Sequence, residues 1–326
     1  MSCKKIPISI IVPVFNIDAY LRRCLESIKS QTFAEFEVIL VNDGSTDRSL
    51  EILEEFCRLD SRFKIFSKKN EGLARARQDG FRLGCGEYIF NLDGDDFIPP
   101  TTLEILRCRA DKSNADIVGG SHQRYFENRG SELVVRREGG LTRAELLHMM
   151  FSENYFYVWG KLIRRTLFCP ELPVYDGITY GEDTVLMTQL TLRAESIVFI
   201  EDVVYFYRIR EDSLSNRPTG AAINSRLAAT RLACAGVREE TLGREVYDEA
   251  NLYFLRQLYR HLKDGGKLYS QEKSEIKLEL RNSLNGEVQR KIKEVNLKMF
   301  VALWILKANI NLFNLFSSLF SLKSRY

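Results

Sequence analysis

The sequence has few of the residues that mark repetitive, disordered or disulfide-built proteins. Among 326 residues there are only 20 Gly, 7 Pro and 3 His, while 45% are hydrophobic, and this composition excludes collagen-like repeats and extended disorder. The charge has no strong sign, with 47 Lys and Arg against 44 Asp and Glu, so the basic footprint of a nucleic-acid-binding protein is absent. We expect one α/β domain with an appendage and no nucleic-acid partner.

The cysteines indicate the cellular compartment, and the absence of two glycine motifs excludes two classes of enzyme. The seven cysteines are odd in number and include no C-x-x-C pair, so we interpret them as reduced, buried thiols in a reducing compartment. The N-terminal residues meet a proline and a polar turn before any secretory apolar core, which agrees with a cytoplasmic location. Neither G-x-x-x-x-G-K-S/T nor G-x-G-x-x-G follows a strand, which excludes P-loop nucleoside triphosphatases and nicotinamide dehydrogenases.

Apolar runs alternate with amphipathic helical patterns in the first part of the chain. The runs predict buried strands at 8–15, 36–41, 63–67 and 87–92. Helices are predicted between them, the first over 19–31 with Asp18 as its cap. Alternation of strand and helix at this spacing predicts right-handed crossovers and a Rossmann-like, mostly parallel sheet flanked by helices.

The pattern changes along the rest of the chain. A strand at 115–120 and a strand-like segment at 196–209 continue the α/β character. From about Ala221 onward only charged, amphipathic helices are indicated. We therefore predict an α/β domain at 1–220 and a helical C-terminal region at 221–326.

Carboxylates follow two of the predicted strands. Asp43 comes directly after FEVILVN, and Asp93, Asp95 and Asp96 come after EYIFNL. Ligands of parallel α/β sheets bind beyond the carboxyl ends of the strands. Three carboxylates within four residues repel one another, a repulsion that a divalent cation relieves, and their hard oxygens favour Mg²⁺ or Mn²⁺ over Zn²⁺. Asp43 taken alone is equally well interpreted as a helix cap or turn former.

Several short motifs occur in an order that resembles the family-2 glycosyltransferases of the GT-A fold. They are PVFN at 13–16, VNDGSTD at 41–47, NEGLARARQDG at 70–80 and GEYIFNLDGDD at 86–96. Three later motifs are similar to the second half of the same catalytic domain in bacterial enzymes that build capsule, O-antigen or exopolysaccharide: VWGKLIRRTLF at 158–168, GEDT at 181–184 and YFYRIREDSLS at 205–215. The resemblance covers residues 6 to about 216 and implies that 1–220 is a GT-A catalytic domain with a DxD motif.

The resemblance implies a donor site for a UDP-sugar. Asp43 would accept a hydrogen bond from the uracil N3–H. Asp93 would approach the ribose or the donor sugar, and Asp95, together with Asp93, would hold the Mn²⁺ or Mg²⁺ ion that bridges the diphosphate. The base and the ribose would be walled by Pro13, Phe15 and Asn16.

The catalytic base that the resemblance implies is Asp183, with Glu182 beside it. A base is needed because the acceptor hydroxyl must lose its proton as it attacks the anomeric carbon. One base and direct displacement invert the anomeric centre, so an α-linked UDP-sugar would give a β-linkage. Without the resemblance, two acidic residues here are typical of a helix N-terminus, where the helix dipole favours them. Trp159 and Lys161 are expected on the acceptor side, and a core position is an equal alternative for Trp159.

Arginines are expected to supply positive charge near the diphosphate. Arg75 and Arg77, which follow the third strand, either face a diphosphate or lie on a solvated helix face. Many relatives in the family carry a histidine near the YFYR position, whereas this chain has Arg208 and Arg210 there. We expect an arginine at this place to contact phosphate as a cation, which leaves the metal ion fewer protein ligands.

The C-terminal residues are basic and amphipathic. Residues 263–326 contain 12 Lys and Arg against 6 Asp and Glu, a local charge of +6. Polar residues recur at spacings of three and four from Lys307 to Arg325. This pattern predicts an amphipathic helix at about 297–325 that lies in a membrane interface and does not span it. A helix packed in an oligomer or against the body of the protein is the alternative.

Together these features predict an inverting glycosyltransferase. It would move a hexose or N-acetylhexosamine from a UDP-sugar to an undecaprenyl-diphosphate-linked saccharide in bacterial surface polysaccharide synthesis. It would be cytoplasmic and associate peripherally with the inner face of the cell membrane. A non-catalytic glycosyltransferase-like scaffold that binds membrane or partner enzymes is the alternative. A sugar nucleotidyltransferase would need a glycine-rich G-x-G-x-R segment near the N-terminus, which PVFNIDAY does not supply.

Overall fold

The computed structural model describes residues 6–170, 172, 177–210, 220–263, 280, 288 and 289. The chain divides into two units. The first consists of Met1–Arg143, Tyr157–Asp176 and Leu190–Asn216, and the second of Ala144–Phe156, Gly177–Gln189 and Arg217–Tyr326. The domain boundary expected near residue 220 stays a prediction, and the helix expected at about 297–325 lies outside the described residues.

The first unit contains a nine-stranded sheet. Its first two strands are buried along their whole length, as expected for apolar, β-branched runs covered on both faces. The strands are β1 (Ile8–Val14), β2 (Phe36–Asn42), β3 (Phe63–Ser67), β4 (Tyr88–Asn91), β5 (Ile117–Phe126), β6 (Gly130–Val134), β7 (Gly139–Leu141), β8 (Lys161–Arg164) and β9 (Ile197–Arg208).

Four helices of the first unit alternate with its early strands and pack on the sheet. They are α1 (Asp18–Lys29), α2 (Ser49–Leu59), α3 (Leu73–Leu83) and α4 (Thr102–Ser113). α1 buries Leu21, Leu25 and Ile28, which recur at helical spacing and belong to the main core. α3 lies close to β1, because a Cβ added at Gly80 would come within 2.2 Å of Cγ2 of Ile11.

The direction of the strands differs from the prediction in the second half of the sheet. The strand order is β3-β2-β1-β4-β8-β5-β9-β7, with β6 paired to β5. Strands β1 to β4 run parallel, but β8 is antiparallel to both of its neighbours, and four of the eight pairings are parallel. The sheet is therefore mixed and not mostly parallel. Apolar runs indicate where strands form, whereas strand direction depends on how the later connections return to the sheet.

The start of α1 is held by side chains from the loop after β2 and from the first residue of α2. The cap position is Ile17, which makes no side-chain capping bond, so the prediction that Asp18 caps this helix is wrong. The amides of Ile17 and Asp18 donate instead to Ser49 Oγ at 3.1 Å and Asp47 Oδ2 at 3.0 Å. These bonds satisfy amide groups that a helix N-terminus leaves without partners, and they tie the loop after β1 to the loop after β2.

The second unit is helical in its described part. It contains the whole of α7 (Gly220–Ala235), α8 (Glu239–Leu242) and α9 (Arg244–Lys263). It also contains α5 (Arg143–Glu153) except for Arg143, and α6 (Glu182–Arg193) as far as Gln189. The rings of Phe151, Phe156 and Tyr253 pack with centroids 5.1 to 5.5 Å apart. None of the helices in the described part of the chain is both long and apolar enough to cross a membrane.

The cysteines correct one further expectation. Cys24 is buried, as predicted, but Cys85, Cys108 and Cys169 are exposed, so the prediction of buried thiols is wrong for these three. Cys108 shows the physical reason, because it lies on α4 away from the buried positions Leu103 and Leu106. The odd number of cysteines and the absence of a C-x-x-C pair therefore did not predict burial of each thiol.

Candidate functional site

The loops after β1, β2 and β4 lie at one edge of the sheet. β1 pairs in parallel with both β2 and β4, so the carboxyl ends of these three strands point the same way. The loop after β4 also approaches the loop after β1, because a Cβ added at Gly94 would lie 2.4 Å from Cδ1 of Ile17. This edge is where ligands of α/β sheets bind, and it carries most of the predicted donor-site residues.

Asp43 is buried at the end of β2 and holds the segment that leads into α3. It is 2% exposed, and its carboxylate accepts from the amides of Glu71 at 2.9 Å and Gly72 at 2.8 Å. Gly44 allows the tight path of the next residues, since its φ is +75° and an added Cβ would lie 2.8 Å from the amide nitrogen of Asn70. Asp43 thus bridges two loops, and the amide that starts α2 is bonded by Asp47 instead.

The loop after β1 presents an exposed aromatic ring. Phe15 is 46% exposed, while Pro13 is buried in β1. Asn16 has a left-handed φ of 51°, and its Oδ1 accepts from the Thr46 amide at 2.8 Å. The Asn16 amide in turn donates to Ser45 Oγ at 3.2 Å. The ring of Phe15 therefore lies on a loop that hydrogen bonds hold in one conformation.

Asp96 is the buried member of the aspartate cluster after β4. It is 1% exposed, and its carboxylate accepts from the Tyr205 hydroxyl at 2.8 Å and from the Arg208 amide at 2.7 Å. The Tyr205 hydroxyl also accepts from the Asp93 amide at 3.1 Å. Burial, followed by the charges of Asp95 and Asp93, raises the pKa of Asp96 well above its usual value. Asp96 therefore joins the loop after β4 to β9.

Asp93 is paired with a buried arginine. Arg77 Nη2 donates to Asp93 Oδ1 at 2.8 Å, and the Arg77 side chain is 2% exposed. Of the two alternatives predicted for Arg77, a diphosphate contact or a solvated helix face, neither matches this position. α3 packs closely on the sheet here, so Arg77 points inward to Asp93. Arg75, two residues earlier, is half-buried in the first turn of α3.

Asp95 is paired with an arginine that is more exposed. Arg210 Nη2 lies 2.9 Å from Asp95 Oδ2, and the two side chains are 20% and 22% exposed. Burial and, after it, the negative charge of Asp93 raise the pKa of Asp95, while Arg210 acts in the opposite direction. The outer carboxylates of the cluster, Asp93 and Asp95, thus each face a guanidinium group.

Arg208 is a buried structural arginine. It is 4% exposed, forms an ion pair with Glu127, and donates from Nε to the Asp95 carbonyl at 2.9 Å. Its guanidinium lies over the rings of Tyr20 and Tyr125, 5.0 and 5.5 Å from the centroids. The expected phosphate contact by Arg208 does not match this arrangement, because the side chain is enclosed by its own partners.

Trp159 and Lys161 are both buried in the first unit. Trp159 is 4% exposed and stacks on Tyr205 and Tyr157, each with centroids 4.4 Å apart. Lys161 is fully buried, and its Nζ donates to the Tyr157 carbonyl at 2.5 Å. The core alternative thus describes Trp159, and the acceptor contact expected for Lys161 does not match its burial.

Comparison with known proteins places this architecture in a family. Residues 9–169 match the family described as Glycosyl transferase family 2. The chain is 32% identical to the uncharacterized glycosyltransferase EpsJ of Bacillus subtilis (strain 168), over 68% of this chain and 66% of EpsJ. It is 33% identical to glycosyltransferase GlyG of Streptococcus pneumoniae serotype 4, over 64% of this chain and 72% of GlyG. The chain belongs to glycosyltransferase family 2. The predicted family and enzyme class are confirmed.

Two further comparisons concern length and fold. The match between this chain and glycosyltransferase GlyA of Streptococcus pneumoniae serotype 4, at 35% identity, covers only 31% of the length of GlyA. Among solved structures, S. aureus TarS 1-349 in complex with UDP-GlcNAc has a TM-score of 0.66 at 19% identity, over 93% of this chain and 87% of that chain. This likeness confirms a GT-A-like α/β fold with a mixed sheet and flanking helices.

Glu182 and Asp183, the expected base pair of the glycosyltransferase, belong to the second unit. They form the first turn of α6 after Gly181, whose φ is +87°. Both residues are half-buried, and acidic residues at this position are favoured by the helix dipole. Their part in catalysis stays a prediction.

The donor set at the end of β4 fits a divalent cation in its chemistry. No group of three or more His, Cys, Asp or Glu in the described part of the chain is arranged to hold a metal ion. Asp93 and Asp95 nevertheless offer hard carboxylate oxygens, and burial, followed by the negative charge of Asp93, raises the pKa of Asp95. Magnesium is typically held by one or two carboxylates completed by substrate phosphates and water. Two carboxylates are therefore sufficient, and Asp96 is already engaged by β9.

Tyr205 is the site residue for which sequence reasoning gave no role. Its hydroxyl bonds both Asp96 and the Asp93 amide, and burial raises the pKa of Tyr205 well above its usual value. Within YFYR it alternates with Tyr207 on one face of β9, and both rings stack on Trp159. A buried tyrosine hydroxyl usually needs a partner, and this was the available signal, although it does not indicate which partner.

Proposed function

We propose that this glycosyltransferase transfers a hexose or N-acetylhexosamine from a UDP-sugar to an undecaprenyl-diphosphate-linked saccharide in bacterial surface polysaccharide synthesis. The observation that carries the proposal is the single edge of the sheet that holds the exposed ring of Phe15, the buried carboxylate of Asp43 and the aspartates after β4. TarS, which shares the fold, has been solved with UDP-GlcNAc, and this supports a UDP-linked donor.

The nucleoside is assigned to the ends of β1 and β2. Phe15 offers an exposed ring for contact with uracil, and Pro13 and Asn16 border the same loop. Asp43 accepts one amide on each carboxylate oxygen, and each oxygen keeps further acceptor capacity. In this arrangement Asp43 accepts from the uracil N3–H while the two amides hold its carboxylate plane.

The diphosphate is assigned to the end of β4. Asp95 and Asp93 would hold Mn²⁺ or Mg²⁺, which supplies positive charge to stabilise the leaving UDP. Arg75 and Arg210 are the predicted phosphate-contacting arginines whose side chains are not fully buried. Arg77 donates to Asp93 and Arg208 donates to the Asp95 carbonyl, so these two arginines stabilise the conformation of the loop after β4.

Proton removal is assigned to Asp183, with Glu182 beside it. The acceptor hydroxyl oxygen forms a bond to the anomeric carbon as the bond from that carbon to the UDP oxygen breaks. The hydroxyl proton passes to the Asp183 carboxylate, and UDP leaves with the bonding electrons. A single displacement inverts the anomeric centre, so an α-linked donor gives a β-linkage.

The acceptor also suggests a place in the cell. A polyprenyl-diphosphate acceptor lies in a membrane, and the local charge of +6 in residues 263–326 suits anionic headgroups. We therefore place the enzyme in the cytoplasm, on the inner face of the cell membrane, with the segment at about 297–325 as its contact.

Calorimetric titration of UDP tests the donor site. We expect UDP binding that depends on Mn²⁺ in the wild-type protein and is lost in Asp95→Ala. The matched control is Asp111→Ala, which removes a carboxylate from an exposed ion pair with Arg107 on α4 and should bind UDP like the wild type. Absence of UDP binding with and without Mn²⁺ would contradict the proposal.

Transfer from labelled UDP-sugars to undecaprenyl-diphosphate-linked saccharides tests the reaction. The product should carry a β-linkage by NMR, and Asp183→Ala should abolish transfer while it retains UDP binding. Glu240→Ala, at an exposed position of α8, is the control in the same unit. UDP binding without transfer to any lipid-linked acceptor would favour the scaffold alternative.

A further inference from the structure

The arginines around the aspartate cluster differ in how firmly they are held. Arg77 is 2% exposed on Asp93, and Arg208 is 4% exposed among its own partners. Arg210 is 20% exposed and lies two residues beyond the end of β9. A change of side-chain rotamer at Arg210 therefore leaves the backbone ladder of the sheet intact, whereas Arg77 could move only with α3.

Arg210 occupies an oxygen that the proposed metal site requires. Its Nη2 lies 2.9 Å from Asp95 Oδ2, and its guanidinium is 4.9 Å from the centroid of the Tyr20 ring. Arg208 lies over the same ring at 5.0 Å, so two positive groups border Asp95. A cation that approaches Asp95 in this arrangement meets a competing hydrogen-bond donor and like-charge repulsion.

A nucleoside diphosphate would give Arg210 an alternative partner. Guanidinium groups bind phosphate oxygens through two parallel hydrogen bonds, and such charge-assisted bonds are among the stronger ones in proteins. Transfer of Arg210 from Asp95 to the diphosphate would free Oδ2 and move a positive charge from the carboxylate toward the donor. Arg77, in contrast, would keep Asp93 in place in both states.

We propose that Arg210 is an exchangeable counter-ion of Asp95, which couples metal binding to donor binding. Without a donor, Arg210 neutralises Asp95 and lowers its affinity for divalent cations. With a donor, Arg210 contacts the diphosphate and Asp95 is open. This inference rests on the proposed function, because it needs a diphosphate ligand and a divalent cation at Asp95.

Titration of Mn²⁺ with and without UDP, followed by the electron paramagnetic resonance signal of free Mn²⁺, tests the inference. We expect the wild-type protein to bind Mn²⁺ weakly alone and more tightly with UDP. Arg210→Gln should bind Mn²⁺ alone about fivefold more tightly, the scale of one partly exposed ion pair. The gain in Mn²⁺ affinity caused by UDP should shrink in this variant, and by linkage so should the gain in UDP affinity caused by Mn²⁺.

Two variants serve as controls. Arg210→Lys keeps the charge without the planar fork and should retain part of the coupling. Arg22→Gln removes the same charge from an exposed ion pair with Glu55 and should leave Mn²⁺ binding at the wild-type value. Thermal unfolding of each variant shows that the fold is retained.

The possible outcomes separate this inference from the proposed function. If the wild-type protein binds Mn²⁺ with UDP but Arg210→Gln binds Mn²⁺ alone no more tightly than the wild type, the inference is wrong and the proposed function stands. If no protein binds Mn²⁺ even with UDP, both are wrong. A tighter nucleotide-free Mn²⁺ complex together with a smaller UDP effect would support the inference.

Discussion

The carboxylates at the ends of β2 and β4 are held by different kinds of partner. Asp43 is oriented by the backbone amides of Glu71 and Gly72, fewer than thirty residues away. In the cluster after β4, Asp96 is held by Tyr205 and Arg208 of β9, more than one hundred residues away, while Asp93 is held by Arg77 of α3. The proposed nucleobase-binding end is therefore built from the part of the chain that contains the first four strands. The proposed metal-binding end, in contrast, is complete only when β9 joins the sheet.

Replacement of Asp96 should have the largest effect on stability, because Asp96 joins the loop after β4 to β9. Asp96→Ala leaves the Tyr205 hydroxyl and the Arg208 amide without their buried acceptor, so we expect a loss of about 3 kcal/mol in the free energy of unfolding. Urea denaturation measures it. Asp96→Asn, which keeps the shape and one acceptor oxygen, should lose less than half as much. Equal losses in the two variants would contradict the role given to the hydrogen bonds.

Acid should reduce the stability of the protein through His122 on β5 before it acts through Glu37 on β2. Burial, followed by the charges of Lys161, Arg136 and Arg124, lowers the pKa of His122 from 6.5 to about 4. The unfolded chain therefore binds the proton first as the pH falls, and stability is lost between pH 6.5 and about 4, by about 3 kcal/mol in all.

The pH dependence of urea unfolding between pH 6.5 and 4.5 checks this, in a range above that in which the lowered pKa of Glu37 contributes. His122→Phe keeps a ring against Trp159, which lies 5.1 Å from the imidazole, and should lose less stability than the wild type as the pH falls through this range. The difference between the two proteins isolates His122 from Asp95 and Asp96, whose raised pKa values change the free energy of unfolding in the opposite direction. A variant with the wild-type slope would show that another group is responsible.

Asp43→Ala should have an intermediate effect that remains local. Two amides lose their acceptor, but Glu71 is exposed and Gly72 is half-buried, so water replaces part of the loss and we expect about 2 kcal/mol. UDP affinity should fall at least tenfold by calorimetry, about 1.4 kcal/mol. Asp47→Ala, which loosens the start of α1 and α2 instead, is the matched comparison and should retain more UDP affinity.

Tyr205→Phe gives the smallest expected effect and sharpens the comparison. The variant keeps the ring stacked on Trp159 and removes only the hydroxyl between Asp96 and the Asp93 amide. We expect a loss of about 1 kcal/mol in the free energy of unfolding. The affinity for Mn²⁺ in the presence of UDP should fall while the affinity for UDP alone stays unchanged. A fall in both affinities would contradict the separation of the two ends.

Much of the first unit was predictable because its signals are local. Continuous apolar runs form β1 to β4. The carboxylates of the site come directly after two of these runs in sequence, at the ends of β2 and β4. Parallel strands then bring these carboxylates to one edge. The cap of α1 was missed because its first amides are bonded by Asp47, in the loop after β2, and by Ser49, at the start of α2. Sequence spacing could not indicate that contact.

The sequence by itself determined that this chain is a family-2 glycosyltransferase with strand-end carboxylates, because residue order and hydrophobic period are properties of the chain alone. Only the tertiary structure decided that Arg77 and Arg208 are buried supports, that Arg210 faces Asp95, and that β8 runs antiparallel. The reason is physical. A guanidinium group can bind any carboxylate within reach, and burial and distance, which depend on how distant segments pack, select which one it binds.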